Sequence, residues 1–141
     1  LYDGAVFSFA DISAGSHPPL FSDFDRSYAA VSLSLAIQSR EALRIVGCRN
    51  GTDVFIEGGF AKNSFYTTLL AAMFPESRVA LTNLNEATAF GAALLAKAAL
   101  ENTTPRALAS CFEIETRPVA PVDFAGLDTY VEKFLRHVST G

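Results

Sequence analysis

The segment Glu57–Asn63, which reads EGGFAKN, has the composition of a loop that binds an anion or a nucleotide. Gly58 and Gly59 lack a Cβ, so a ligand can approach their backbone closely. The N–H groups that open the following helix attract negative charge. Asn63 could cap that helix, donate a hydrogen bond to a nucleotide, or do both. The segment is neither a P-loop nor a G-x-G-x-x-G motif, and a tight turn that needs glycine conformations is the alternative interpretation.

A second segment, Glu86–Ala96, reads EATAFGAALLA and forms a helix face with almost no side-chain bulk. Gly91 stands between Ala89 and Ala92, so another helix or a second domain could approach this face closely. Glycine costs a helix about 1 kcal/mol relative to alanine, and packing clearance would be one reason for keeping it. Taken alone, the segment is also explained by a well-packed, alanine-rich core helix.

Alternating strands and helices must position these two segments. The predicted elements are a strand at 5–9, a loop at 13–19, a long helix at 24–46, a strand at 53–56, a helix at 64–74, a strand at 78–81, a helix at 85–102, a short strand or extended segment at 112–115 and a helix at 123–138. Asn63 or Ser64 is expected to cap the second helix, and Asn85 the third, with Glu86 in its first turn. The order strand–helix–strand–helix predicts parallel pairing in an α/β layer arrangement.

The long helix at 24–46 is predicted to be buried on more than one side. Apolar residues follow it at helical spacing, and others widen that face. The first set comprises Tyr28, Val31, Leu35, Ala42 and Ile45, and the second Leu33, Ile37 and Val46. Gly47 is expected to end the helix.

Composition excludes several classes of protein. Half of the 141 residues are apolar and 18% are charged, which excludes disorder and suits a single core. A net charge of -4 gives no basic surface for nucleic acid. The apolar run Ala87–Leu100 is too short to span a bilayer. Cys48 and Cys111 form no C-x-x-C pattern, so reduced thiols in a cytoplasmic protein are expected and no metal site is assigned.

The two motifs together carry a resemblance that neither carries alone. The order strand, Glu-Gly-Gly-x-x-x-Asn, helix, strand and Asn-Glu-Ala-Thr-Ala-x-Gly-Ala-Ala helix resembles the C-terminal domain of the FGGY carbohydrate kinases. These kinases belong to the actin-like ATPase superfamily, which has a ribonuclease H-like fold. Residues 54–63 are similar to the adenosine motif and residues 86–96 to the second connecting helix. Within the family, the motifs look closest to the rhamnulokinase or fuculokinase type.

The resemblance implies a partial ribonuclease H-like α/β domain with a mixed sheet and a nucleotide site. The implied site residues are Gly58, Gly59, Phe60, Ala61, Lys62 and Asn63. The two glycines would lie beside the phosphates of ATP, and residues 61–63 would border the adenine and ribose. The helix carrying Glu86, Ala89, Gly91 and Ala92 would connect two lobes that close on the substrates. The family usually has a third glycine at the position of Phe60. The phenylalanine would either narrow the space through which a nucleotide approaches or pack against its base.

The resemblance also implies parts that this sequence does not contain. FGGY kinases take a catalytic Asp, a phosphate-binding Asp-x-Gly-Thr turn and most sugar contacts from an N-terminal lobe, and no Asp-x-Gly-[ST] occurs here. We therefore assign no catalytic residue, and Glu57 is interpreted as a strand-end residue. Residues 1–141 are expected to form a single domain, the latter part of the C-terminal lobe, and the start at Leu1 agrees with a piece of a longer chain.

The expected function is that of the nucleotide-binding lobe of an ATP-dependent sugar kinase, with Mg²⁺ bridging the phosphates in the intact enzyme. The isolated lobe is expected to be inactive and to expose an apolar face, which could pair two copies as a homodimer. The sugar would bind through the missing lobe, and neither nucleic acid nor membrane is an expected partner. The alternative is a non-catalytic, actin-like or chaperone-like ATPase lobe that acts as an interaction module.

Overall fold

The computed structural model describes residues 9–16, 19–84 and 86–138. Its helices are α1 (Phe9–Ser13), α2 (Phe24–Ile45), α3 (Ser64–Ala72), α4 (Ala87–Leu100), α5 (Pro105–Ala109) and α6 (Leu127–Val138). Its strands are β1 (Val54–Ile56), β2 (Val79–Thr82) and β3 (Thr116–Pro118), and short 3-10 helices cover Pro19–Ser22 and Gly58–Lys62. The strand predicted at 5–9 lies outside the described residues except for Phe9, which begins α1.

The three strands form one mixed sheet in the order β1-β2-β3. β1 pairs with β2 in parallel, with Val54 opposite Val79, as the strand–helix–strand order predicts. β2 pairs with β3 antiparallel, with Leu81 opposite Arg117. The strands and the helix α3 that connects β1 to β2 therefore form an α/β arrangement, and β3 is the antiparallel edge strand of its sheet.

The segment 112–115, predicted as a short strand or an extended segment, is not the last strand of the sheet. The strand lies at Thr116–Pro118, and the apolar residues Phe112 and Ile114 before it are exposed. Its register is set by backbone bonds to the neighbouring strand, such as Val119 N–H to Val79 O at 2.9 Å. The apolar pattern of residues 112–115 contains no information about the partner strand β2, so it placed the strand too early in the sequence.

Helix α2 begins and ends close to the predicted positions. The Asp23 side chain caps its start by accepting a hydrogen bond from Arg26 N–H at 2.9 Å. Gly47 follows its end with φ of +92°, a left-handed conformation that glycine adopts without strain. The predicted helix at 24–46 is therefore confirmed.

The prediction that α2 is buried on more than one side holds for one part of the helix and fails for another. Ser32, Ala36 and Ile37 are buried, and with 3.6 residues per turn Ser32 and Ile37 lie about 140° apart around the helix axis. The predicted stripe lies on the exposed part of the helix, where Val31 is 48% and Ile45 85% exposed. Helical spacing identified an apolar face correctly, but it does not say which face the rest of the chain covers. The exposed stripe agrees with the expected apolar face on the surface.

The hydrophobic core lies between α2, α3 and one face of the sheet. Its buried residues are Ala36, Val54, Ile56, Tyr66, Leu69, Leu70, Ala71, Phe74 and Val79. Three later residues, Val119, Phe124 and Leu127, pack against this cluster from the segment between β3 and α6. The ring of Phe124 meets that of Phe65 edge-on, with centroids 6.2 Å apart. The C-terminal segment thus completes the core on which α3 rests.

Helix α4 differs from its prediction at both ends. Glu86 is its N-cap residue rather than part of its first turn, and its side chain makes no capping hydrogen bond. The predicted cap, Asn85, lies outside the described residues. The helix ends at Leu100 instead of Asn102, and Asn102 has a φ of +50° that breaks the helical path.

The short helix α5 was not predicted. Thr104 caps it by accepting a hydrogen bond from Ala107 N–H at 3.2 Å, and Pro105 occupies its first position. No element is predicted from the sequence between residues 102 and 112. Proline at the first position of a helix is a start signal, and that signal was missed.

Helix α6 begins at Leu127 rather than at the predicted Asp123, because Gly126 adopts a left-handed φ of +80°. Its apolar side is half-buried at Leu127, Tyr130, Phe134 and Leu135, and Val131 on that side is buried. None of the helices in residues 9–16, 19–84 and 86–138 combines the length and apolar content needed to cross a membrane.

Burial raises the pKa of the Tyr130 hydroxyl on α6 above its ordinary value of 10.0. The folded state therefore resists ionisation of Tyr130 more than the unfolded state does. This contribution to stability is complete below pH 10 and is lost as the pH rises through the folded-state pKa. We expect Tyr130→Phe to lose less of its free energy of unfolding than the unsubstituted chain between pH 8 and pH 11. Urea unfolding at both pH values measures this, and parallel losses in the two proteins would contradict it.

Candidate functional site

The turn Gly58–Lys62 stands at the carboxyl end of β1 and leads into α3. In open α/β sheets, ligands bind outside the carboxyl ends of the strands. Gly58 has a φ of +64°, a left-handed conformation, whereas Glu57 before it is extended. Asn63 N–H donates to Phe60 O at 3.1 Å and closes the turn. The conformation of this turn therefore requires glycine at position 58.

Gly59 is different, because the described fold gives no reason for a glycine at this position. Its φ lies outside the left-handed region, and a Cβ added to it would meet no heavy atom within 4 Å. The backbone of Gly59 is exposed beside Gly58. The space in front of it is therefore open to a ligand that approaches the main chain.

Asn63 holds the junction between the turn, α3 and α2. Its Oδ1 accepts a hydrogen bond from Tyr66 N–H at 2.9 Å, which caps α3. Its Nδ2 donates to the hydroxyl of Ser32 at 3.2 Å, and Ser32 is buried on α2. The predicted capping role of Asn63 is confirmed, and its donation to a nucleotide stays a prediction. Both polar groups of its side chain already have partners within the chain.

Phe60 and Tyr66 form an aromatic pair at the same junction. Their ring centroids are 4.9 Å apart and the ring planes are inclined by 35°. Tyr66 is buried, and its hydroxyl donates to Ser39 Oγ on α2 at 2.8 Å. Phe60 is 49% exposed, so part of its ring faces solvent while the rest contacts Tyr66.

Sequence reasoning missed three residues that support this site: Ser32, Ser39 and Tyr66. Two of them lie on α2, far from the turn in sequence, and neither belongs to a motif. A polar serine on the buried face of a helix is the signal that could have found Ser32, since buried hydroxyls require a partner.

The remaining predicted site residues lie around the turn. Ala61 is half-buried and packs against the core, and Lys62 is exposed. Glu57 is half-buried and makes no capping hydrogen bond with its side chain. Lys62 is therefore the charged side chain of the turn that faces water.

The described residues contain no group of three or more His, Cys, Asp or Glu side chains that could hold a metal ion. This part of the chain therefore offers no carboxylate cluster for Mg²⁺, which prefers oxygen ligands. We assign no step to a metal held by these residues.

Helix α4 presents its small residues at the surface. Ala89, Ala92 and Ala93 are exposed, and Ala98 is the buried residue of the helix. A Cβ added to Gly91 would meet nothing within 4 Å. Within the described residues, no neighbouring element uses the clearance that Gly91 provides.

We expect Gly91→Ala to raise the free energy of unfolding of this chain by about 1 kcal/mol, because alanine favours the helix and has room for its Cβ. Urea unfolding measures the change. The matched control is Gly47→Ala, where φ is +92° and the added Cβ is strained. That control should be destabilised by about 1 kcal/mol. A loss of stability in Gly91→Ala would show that this glycine has a packing role in the chain itself.

Comparison with known families identifies the chain. The family model described as the carbohydrate kinase FGGY, C-terminal domain, matches residues 9–105, which is more than half of the sequence. The chain belongs to the FGGY carbohydrate kinase family. No curated protein and no solved structure matches it.

The matched FGGY segment contains both motifs identified in the sequence, the Gly58–Gly59 turn and α4. The α/β structure with its small mixed sheet is consistent with the ribonuclease H-like type of FGGY C-terminal domains. The segment ends before β3 and α6, although residues near both pack against the core. Membership of the family makes this chain part of a carbohydrate kinase.

Proposed function

We propose that the chain forms the latter part of the nucleotide-binding lobe of an ATP-dependent sugar kinase. The intact enzyme would transfer the γ-phosphoryl group of ATP to a sugar hydroxyl. The family match supports a kinase, and the open backbone at Gly59 supports a ligand at this turn. The open space at Gly59 is the observation that carries the proposal, since neither the backbone conformation nor the packing of the fold explains a glycine there.

In this proposal the chain binds and positions ATP rather than performing proton transfer. The exposed N–H groups of Gly58 and Gly59 would face the phosphates, and Lys62 would add a positive charge nearby. Ala61 and Asn63 would border the adenosine part. Phosphoryl transfer depends mainly on positioning and on neutralisation of charge, so a lobe of this kind can contribute without a catalytic base of its own.

Asn63 would act in this site by holding the turn in place. Its side chain joins the start of α3 to Ser32 on α2, so the turn is fixed against two helices before a ligand arrives. A preorganised loop binds its ligand without a further ordering cost. The base and the sugar contacts would come from the other lobe of the enzyme.

The proposal is tested by replacing Gly59 with alanine. We expect the dissociation constant for ATP with Mg²⁺, measured by calorimetry, to rise about tenfold, because the Cβ would occupy the space that the phosphates approach. The free energy of unfolding should stay the same or rise by about 0.5 kcal/mol. Unchanged ATP affinity would contradict the placement of the phosphates.

Two further outcomes distinguish the kinase from the alternative, a non-catalytic interaction module. The isolated chain should show no sugar phosphorylation, and turnover by the chain alone would contradict its role as an incomplete lobe. Absence of ATP binding by the unsubstituted chain would contradict the nucleotide site and support the interaction module.

A further inference from the structure

We infer that the ring of Phe60 is a stacking platform for the base of the bound nucleotide, so that this lobe recognises the base by its π surface. The inference rests on the proposed function, because it concerns the nucleotide site at the same turn. It assigns Phe60 as the residue through which the lobe contacts the base, whichever base the nucleotide carries.

The first observation is the way in which the Phe60 ring is held. Phe60 is 49% exposed, so part of its side chain is accessible to a ligand at this turn. Its other contacts include the ring of Tyr66 at 4.9 Å, and Tyr66 is itself buried and hydrogen-bonded to Ser39. The exposed ring therefore has a rigid support that reaches from α3 to α2.

The second observation is the position of the ring in the chain. Phe60 follows directly after Gly59, whose backbone is open to the phosphates in the proposed site. A nucleotide that places its phosphates at Gly58 and Gly59 brings its base within reach of the adjoining residues of the turn. Among residues 60–62, Phe60 supplies the aromatic surface, and aromatic rings bind bases by stacking.

The third observation concerns Asn63, which is the amide of the turn that could read the edge of a base. Its Oδ1 caps α3 and its Nδ2 donates to the buried hydroxyl of Ser32. Turning the amide toward a base would remove the cap and would leave Ser32 without this partner. Stacking of the base on Phe60 would leave the cap on α3 and the Asn63–Ser32 hydrogen bond in place.

Recognition of this kind predicts a particular order of affinities. Every base has a π surface, so stacking discriminates weakly between bases and favours the larger purines. We expect ATP and GTP to bind with affinities within about threefold of each other, and CTP and UTP to bind less tightly. Inorganic triphosphate, which has no base, should bind independently of the side chain at position 60.

The absence of tryptophan from the sequence allows a direct test. Phe60→Trp introduces a single fluorescent indole that retains an aromatic surface. ATP and GTP should quench its fluorescence by stacking, whereas inorganic triphosphate should not. The matched control is Phe24→Trp on α2, where the native ring is 80% exposed and lies outside the turn. Its fluorescence should not respond to any of these ligands.

A second pair of variants separates stacking from simple packing on Tyr66. Phe60→Leu keeps most of the apolar volume against Tyr66 but loses the flat ring. The dissociation constant for ATP should rise about tenfold in this variant and that for inorganic triphosphate should not change. Circular dichroism of Phe60→Leu checks that the fold is retained, and the fluorescence of Phe60→Trp provides the test if it is not.

The outcomes separate the inference from the proposed function. Binding of ATP with no quenching in Phe60→Trp, or with unchanged affinity in Phe60→Leu, would overturn the stacking role and leave the nucleotide site in place. Strong preference for ATP over GTP would also overturn it. Failure of the unsubstituted chain to bind either ATP or inorganic triphosphate would overturn both.

Discussion

Replacing Leu70 by alanine is expected to lower the free energy of unfolding by about 2–5 kcal/mol. Leu70 is 2% exposed on α3 and belongs to the cluster that joins α2, α3 and the sheet. Alanine would remove buried apolar surface and would leave a cavity that the surrounding residues fill only in part. Because α3 carries Tyr66, the support of the Gly58–Lys62 turn should weaken with it.

Urea unfolding followed by circular dichroism measures this loss. The matched control is Leu95→Ala, the same chemical change on α4 at a residue that is 63% exposed. The control should change the free energy of unfolding by no more than about 0.5 kcal/mol. Similar losses in the two variants would contradict the position of the core described above.

Replacing Asn63 by alanine is expected to cost about 2 kcal/mol of stability. About half of this comes from the lost cap on α3, where Oδ1 accepts the Tyr66 N–H. The other half comes from the buried Ser32 hydroxyl, which loses the Nδ2 donor. A single side chain therefore connects the start of α3 to the buried face of α2.

Two further variants divide this loss into its parts. Asn63→Asp keeps an acceptor for the cap but removes the amide donor, so it should lose less stability than Asn63→Ala. Ser32→Ala removes the other end of the bond, and its effect should not add fully to that of Asn63→Ala in the double variant. Full additivity in urea unfolding would show that the Asn63–Ser32 bond contributes nothing to stability.

Several features that local chemistry determines were predicted well, although the start signal of α5 was missed. Gly47 ends α2 and Asn63 caps α3, because stops and caps are encoded by residues next to the helix end. The parallel pairing of β1 with β2 follows from the helix that connects them. The helix ends are determined by residues beside them in the sequence, and the strand pairing is determined by the single helix between the two strands.

The parts that distant contacts determine were predicted poorly. The third strand was displaced because its register depends on β2, and the exposed stripe on α2 was assigned to the interior because α3 covers the opposite face. The start of α6 was misplaced for a local reason, because the left-handed conformation of Gly126 interrupts a pattern that otherwise looks helical. In each case the deciding contact or conformation is absent from the apolar pattern.

In the candidate site, too, some features could be predicted from the sequence and others depend on contacts between distant residues. Gly58, Gly59 and Asn63 could be selected from the sequence, because glycines and an asparagine between a strand and a helix indicate a tight turn or a ligand loop. The support of Phe60 by Tyr66, and of Tyr66 by Ser39, depends on how α2 packs against α3. The sequence motif therefore located the turn, and the packing of two helices gives it its rigidity.

The packing of Val119, Phe124 and Leu127 on the core sets the order in which this domain can form during synthesis. The turn that follows β1 is translated before these residues, yet the cluster beneath it is incomplete until Leu127 has left the ribosome. A nascent chain that ends at residue 105, where the family segment stops, would still expose the apolar surface that they cover. The Gly58–Lys62 turn is thus synthesised before the residues that complete the core beneath it.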